Sequence, residues 1–426
     1  MMISMLLAVA IFGFTYMLIM TEWINKMTAA LLGGFLVVIL RLVGQERAFA
    51  AVDWNVIFLL IGMMMVMSVL KETGIFEYLA IKTAKAAKAK PIRIMLFIFV
   101  VTAFVSAFLD NVTTVMMLVP IALLIASELK ISPVPFIITM AIGSNIGGTA
   151  TMIGDPPNIM IGSATDYTFI EFIYHLTPAI LIIIASSLVL TWLLYHKKMV
   201  VTNENRARLM EYNEDNLIKN KKLLVRVLIV VGLMLTSFLL QSQLHLEIST
   251  IAMISGLILL IINNRKHVDQ VLIHDIDWAT ILFFIGLFML VESLISTGVM
   301  DIAAKKIVSS TGGSLKTTSF IILWFSGIFS AIVDNVPFVA TMIPLIEKIG
   351  NGVPRELMHP VWWSLSLGAC LGGNGTLIGA SANVVSVGIA NKNGFKISFM
   401  DFTKIGVIYT LNSLVISTLY IWIRYF

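Results

Sequence analysis

Apolar runs approaching the length of a bilayer crossing recur along this chain, at residues 3–20, 27–40, 56–70, 178–195, 227–240, 250–262, 280–295 and 405–423. A transmembrane helix needs ~20 predominantly apolar residues. Inside lipid every backbone N–H and C=O must find an internal partner, which only helices and closed barrels achieve. Runs this continuous lack the alternation of barrel strands, so the sequence predicts an all-α polytopic membrane protein. Composition agrees: 12% of residues are charged, against about 25% in a soluble domain. The first run has no basic stretch before it and no A-x-A-like site after it, and a further span follows closely, so it reads as a retained helix and not a signal peptide.

Several function classes drop out. A single cysteine, Cys370, permits no intramolecular disulfide and no thiolate-rich metal centre. No G-x-x-x-x-G-K-[ST] stretch is present, so no ATPase is built in. The net charge of +5 sits mostly in loops, the positive-inside pattern of membrane proteins and not a nucleic-acid patch. His175, His245 and His359 stand near span ends without metal-ligand spacing, and no serine or cysteine has a paired base. No cofactor is expected.

The chain repeats. "DWNVIFLLIGMMMVMSVLKETG" from Asp53 matches "DWATILFFIGLFMLVESLISTG" from Asp277, and the same offset carries Asp110, Asn111 and Pro120 onto Asp334, Asn335 and Pro344. One residue later in register, "IGGTATMIGDPPN" from Ile146 meets "LGGNGTLIGASAN" from Leu371, pairing Gly147 with Gly372, Gly154 with Gly379 and Asn158 with Asn383. Residues 1–200 and 222–426 are therefore read as two copies of one unit, joined by a linker over 201–221. Each copy is expected to hold a hairpin (near 94–128 and 318–346) and a broken helix (near 134–163 and 358–390).

The stretch from His196 to Arg226 around the linker holds eight Lys or Arg, which marks it as cytoplasmic. Each copy has an odd number of crossings whether its hairpin is re-entrant or spans fully, so the second copy is inverted relative to the first, as in many secondary transporters. That topology has about ten transmembrane helices plus two hairpins and broken helices. It puts both termini outside the cytoplasm and 21 of the 29 basic residues inside.

Two polar interruptions in each copy carry the chemistry. One is the turn at Asp110, Asn111, Thr113 and Thr114, matched by Asp334, Asn335 and Pro337. The other is Gly-rich: "GSNIGGTATMIGDPPN", with Asn145, Thr149, Thr151, Asp155 and Asn158, and "GACLGGNGTLIGASAN", with Asn374, Thr376 and Asn383. Such glycine density and the Pro156-Pro157 pair do not sustain a regular helix. Unwound backbone at membrane depth is tolerated only where it is buried or lines a cavity, and paired broken helices point to a transport site.

An aspartate beside a turn is often only a helix N-cap, the reading adopted for Asp53 and Asp277, which stand at the mouths of apolar runs. Asp110 and Asp334 lie between long apolar runs, where an ionised carboxylate is costly and usually functional. Asp155 has Ala380 as its counterpart, so the two half-sites are chemically unequal. Glu292, inside an apolar run, reads equally as a proton-linked group or an interfacial residue. The many methionines read as core filler.

"DNVTTVMMLVP" and "SNIGGTATMIGDPPN", with their degenerate second copies, resemble the ion transporter superfamily over essentially the whole chain, in particular the arsenical-permease/NhaD-type branch that includes the melanosomal P protein. The resemblance implies a homodimer in the inner or plasma membrane with a scaffold part and a moving transport part. It implies elevator-type alternating access and a site lined by Asn111, Thr113, Asn158, Asn335, Thr376 and Asn383. Relatives that bind sodium carry Ser-Asn-Thr at the hairpin turn. Aspartate here resembles proton-linked exchange, with any Na+ at Asp110, Asn111, Asp334 and Asn335. The function expected is proton-coupled efflux of arsenite, antimonite or a similar small inorganic solute. The alternatives are a Na+/H+ antiporter, an anion channel or dicarboxylate carrier, and the membrane subunit of a pump driven by a separate soluble ATPase.

Overall fold

The computed structural model describes residues 2–21, 23–197, 199, 201–211, 217–263 and 268–426; residues 212–216 of the expected linker lie outside the described residues. All regular structure among the described residues is helical. The first half runs α1 (Met2–Thr21), α2 (Lys26–Ile39), α3 (Trp54–Glu72), α4 (Ile75–Ala86), α5 (Pro91–Phe108), α6 (Asn111–Leu129), α7 (Val134–Gly148), α8 (Pro156–Thr165) and α9 (Phe169–Tyr195). The second runs α10 (Lys221–Leu239), α11 (Ile248–Ile262), α12 (Trp278–Ser296), α13 (Val299–Ser310), α14 (Leu315–Ile332), α15 (Asn335–Ile349), α16 (Arg355–Gly372), α17 (Ser381–Lys392) and α18 (Phe399–Tyr425). Nine helices among the described residues are long and apolar enough to cross a membrane, including three of the four hairpin arms, α5, α6 and α14.

Local signals set the boundaries. Asp53 accepts from the amides of Asn55 and Val56 at the start of α3, and Asp277 from that of Thr280 at the start of α12, so both are N-caps as the sequence suggests. Reciprocal capping boxes, Thr168 with Glu171 and Ser398 with Asp401, open α9 and α18. These are 27 residues each, about 40 Å at 1.5 Å per residue. Pro91 stands in the first turn of α5, where its missing N–H costs nothing.

Glycine determines how the halves interlock. α2 of the first half packs on α12 of the second, and α3 on α11. A Cβ on Gly34 would stand 2.7 Å from the Gly286 carbonyl oxygen, and one on Gly62 2.6 Å from the backbone of Ala252 and Met253. The same close approach recurs within each half, where α5 lies on α7 and α14 on α16. There Gly147 meets the backbone of Ala103, and a Cβ on Gly372 would stand 2.5 Å from the Gly327 oxygen. Small residues let helices approach in lipid, where dispersion and not water exclusion drives association. The outcome is one layer built from α1–α3 and α10–α12, against which the hairpins α5–α6 and α14–α15 and the broken helices α7–α8 and α16–α17 rest.

Candidate transport site

Both breaks are closed in the same way. Between α7 and α8 the chain unwinds over residues 149–155, and between α16 and α17 over 373–380, with one short 3-10 turn at Gly373–Gly375. Asn158, in the first turn of α8, donates through Nδ2 to the carbonyls of Thr149 (3.1 Å) and Thr151 (2.9 Å). Asn383, in the first turn of α17, donates to those of Gly373 (2.8 Å) and Thr376 (3.0 Å). Each amide thus satisfies carbonyls that the lost helix turns leave bare. The hairpins are fastened to the breaks in parallel fashion: Thr151 Oγ1 donates to Ala107 O and Thr376 Oγ1 to Ala331 O, while Ser106 Oγ donates to Ser144 O and Ser330 Oγ to Ala369 O.

Asn145 ties the halves together. Its Nδ2 donates to Asn374 Oδ1 and Asn383 Oδ1, both at 2.9 Å, and its Oδ1 accepts from Asn111 Nδ2 at 3.1 Å, all fully buried. Across the repeat the position of Asn145 is held by Cys370. Its Sγ lies 3.7 Å from Asn158 Oδ1, which also accepts from Ser366 Oγ at 2.6 Å.

The aspartates gather on one cavity of about 1010 Å³, lined by Asp110, Asn111, Thr113, Asp155, Asp334 and Asn335 from the hairpin tips and the first break. Lys26, Ser68, Lys71, Asp275 and Asp277 face them from the interlocked layer. Asp110 and Asp334 are N-caps as well, of α6 and α15: Asp110 Oδ1 accepts from Thr113 N at 2.8 Å and Asp334 Oδ1 from Val336 N at 3.2 Å. Capping and cavity lining coexist, because a cap engages one oxygen of two. Asp155 is completely buried, begins α8 without capping it, and takes both oxygens to Asn335 Nδ2 at 3.3 and 3.2 Å. Asp334 Oδ2 accepts from Ser381 Oγ (3.0 Å) and pairs with Lys26 Nζ (3.3 Å).

Residues 16–368 match the citrate transporter family. The chain belongs to it. An uncharacterized transporter of Mycobacterium tuberculosis is 39% identical over 98% of both chains, and a 46 kDa membrane protein of Mycobacterium leprae is equally similar over the same share. The mouse P protein is 30% identical over 98% of this chain and 60% of its own length, in line with the expected kinship. Among solved structures, the Alcanivorax borkumensis YdaH transporter superposes with a TM-score of 0.61 over 90% of this chain and 86% of its own, at 12% identity, which shows a shared fold. This citrate transporter family member is thus a multi-pass membrane transporter and not an enzyme.

The remaining positions singled out in the sequence lie behind the cavity. Asn145, Asn158, Asn374 and Asn383, with Thr149, Thr151 and Thr376, form the network that holds the breaks, and Thr114 is buried beside the first hairpin tip. Glu292 belongs to a different place: it pairs with Arg47 at 2.6 Å and accepts from Ser296 at 2.7 Å. His175 and His359, distant in sequence, are brought together, ring centroids 5.0 Å apart beside Trp363. No metal-binding cluster forms among the described residues.

Sequence reasoning missed Lys26, Ser381 and Ser366. It also missed Tyr16, whose hydroxyl donates to Pro337 O at the second hairpin tip. Lys26 had a usable signal, since a lysine beginning an apolar run is worth testing for a membrane-depth partner.

Proposed function

We propose that this family member is a secondary active transporter that exchanges protons for a small monovalent cation at Asp110, Asp155 and Asp334. The observation that carries the reading is the charge around the cavity. Five aspartates line it (Asp110, Asp155, Asp275, Asp277 and Asp334) against two lysines, Lys26 and Lys71. Carboxylates at membrane depth attract cations or protons and oppose anions, and a low local dielectric strengthens both effects. Free citrate, a trianion, is disfavoured there unless cations neutralise it. The alternating element in this proposal is the assembly of hairpins and broken helices, moving against the α1–α3/α10–α12 layer. The proposal keeps the cytoplasmic linker and a homodimer of two 47.0 kDa chains.

Proton-coupled efflux of arsenite or antimonite is the second reading. It is favoured by the uncharged donors and acceptors among the lining groups, Asn111, Thr113, Asn335 and Ser381. Arsenite at neutral pH is a neutral hydroxylated acid, which such groups bind without a thiol, and Cys370 is buried outside the cavity lining.

Purified protein in proteoliposomes holding a pH-sensitive dye tests both. Na+, Li+, arsenite, phosphate, and citrate with and without Mg2+ are offered in turn. The first reading expects internal pH to change with Na+ or Li+ and the response to vanish in Asp155→Asn. A response confined to arsenite or to citrate, or one that survives Asp155→Asn unchanged, overturns it. Flux that only dissipates gradients would assign a channel instead.

A further inference from the structure

Among the described residues, Asp334 is the cavity aspartate that forms an ion pair, and its partner comes from outside its own body. Lys26 opens α2, in the layer held to α12 by Gly34 and Gly286, whereas Asp334 caps α15 and Ser381 begins α17. The Lys26 ammonium touches both, 3.3 Å from Asp334 Oδ2 and 2.8 Å from Ser381 Oγ, and lies 5.4 Å from the Phe283 ring centroid on α12. The Asp334 side chain is 13% exposed and that of Lys26 39%. A second tie runs alongside, from Tyr16 on α1 to the Pro337 carbonyl.

The repeat makes this contact one-sided. Aligning "TAALLGG" from Thr28 with "TIAMISG" from Thr250 sets Lys26 opposite Ile248 and Tyr16 opposite Phe238. The second half therefore has apolar residues at the positions that carry an ammonium and a phenol in the first, and among the described residues Asp110 forms no ion pair where Asp334 does.

We infer that Lys26 is a built-in cation, which competes with the transported cation for Asp334 and holds the second hairpin tip against the layer until it is displaced. The inference rests on the reading above that the carboxylates take a cation. An ion entering between Asp334 and Ser381 needs the place the ammonium occupies, and the tip parts from α2 only when that pair opens. Lys26 is thus a positioning residue whose departure is coupled to ion entry. Apparent affinity falls with the fraction of molecules in which the binding-competent state is populated. A partly exposed pair of this kind changes that fraction by about fivefold.

The test compares wild type, Lys26→Met and Lys26→Arg in proteoliposomes, with NaCl or LiCl titrated against choline chloride and maximal rate and half-saturating concentration measured separately. Lys26→Met is expected to lower the half-saturating concentration about fivefold, and Lys26→Arg, which keeps the charge, to restore the wild-type value. A Lys26→Met half-saturation equal to that of a responsive wild type overturns this inference alone. A wild type that answers neither Na+ nor Li+ overturns the cation reading and this inference with it. Should Lys26→Met not accumulate as folded protein, the pair Lys26→Cys/Ser381→Cys serves instead, joined through two disulfides by a flexible bis-methanethiosulfonate; Cys370 is buried. Transport that stops on cross-linking and returns on reduction supports the inference, and full transport while cross-linked refutes it.

Discussion

Replacing Asn145 with alanine removes three buried side-chain hydrogen bonds at once, to Asn111, Asn374 and Asn383. Polar contacts between helices in membrane proteins average ~0.6 kcal/mol each, with a ceiling near ~1.7. Three of them give about 2 kcal/mol, and the unpaired amides left in a dry interior raise this toward ~4. Cys370→Ala alters the pseudo-equivalent position, yet its cost is less than ~1 kcal/mol. Its sulfur is a weak donor at 3.7 Å, and Asn158 Oδ1 keeps Ser366 at 2.6 Å. Reversible unfolding in mixed micelles with rising dodecyl sulfate fraction, followed by circular dichroism, measures both variants. A shift of 2 kcal/mol appears as about a 30-fold change in the unfolding equilibrium. The double variant Asn145→Ala/Asn383→Ala isolates the central bond as a coupling energy of about 0.6–1.7 kcal/mol. Equal destabilisation by Asn145→Ala and Cys370→Ala, within ~0.5 kcal/mol, or no coupling in the cycle, would refute the reasoning that Asn145 joins the two breaks.

Gly147→Ala drives a Cβ into the backbone of Ala103, so α5 and α7 must separate; loss of monodisperse protein on gel filtration is expected, while Gly13→Ala, which meets open space, is neutral. Arg47→Ala leaves Glu292 nearly buried with Ser296 as its remaining partner and should cost about 1–2 kcal/mol in the same unfolding assay. Glu292→Gln, which keeps an acceptor for Ser296, should cost less. A cysteine introduced at Asn203 should react with an impermeant maleimide only when the cytoplasmic face is exposed; labelling of intact cells would reverse the orientation argued from the basic linker.

Most of the architecture was legible because it depends on features that lipid makes compulsory. Apolar runs had to be helices, and the Gly-rich stretches had to be breaks, since no helix sustains "GGNGTLIG". Asn158 and Asn383 were visible as a repeated pair, but what they do was not. An amide reaching back to carbonyls of its own break is a matter of backbone geometry, and the sequence-level expectation was that it would line the site. The partners of Asp334 were hidden for another reason. Lys26 lies 308 residues away in sequence, and the crossing of α2 onto α12 that brings it there follows from the packing of Gly34 on Gly286. His175 and His359 read as scattered because α9 and α16 meet only in three dimensions.

The repeat separates mechanics from chemistry. Many positions that agree between the halves are structural: Asn158 and Asn383 close the breaks, Thr151 and Thr376 with Ser106 and Ser330 fasten the hairpins, and Gly147 and Gly372 admit the neighbouring helix. Positions that disagree lie at the cavity or just behind it, beside the shared pairs Asp110/Asp334 and Asn111/Asn335. Asp155 faces Asn335 where the mate, Ala380, offers nothing, so Asn111, the counterpart of Asn335, turns instead to Asn145. Asn145 itself has become Cys370 in the other half, and Lys26 has become Ile248. One departure from symmetry thus requires the next: an extra carboxylate on one side is matched by an amide that bridges the halves, and the ammonium stands beside the carboxylate of the second tip. A duplicated unit whose two sites stayed equal would bind the same species twice. These differences leave Asp110 without an ion pair among the described residues and Asp334 with its own cation, the asymmetry that the proposed exchange of two unlike cations would use.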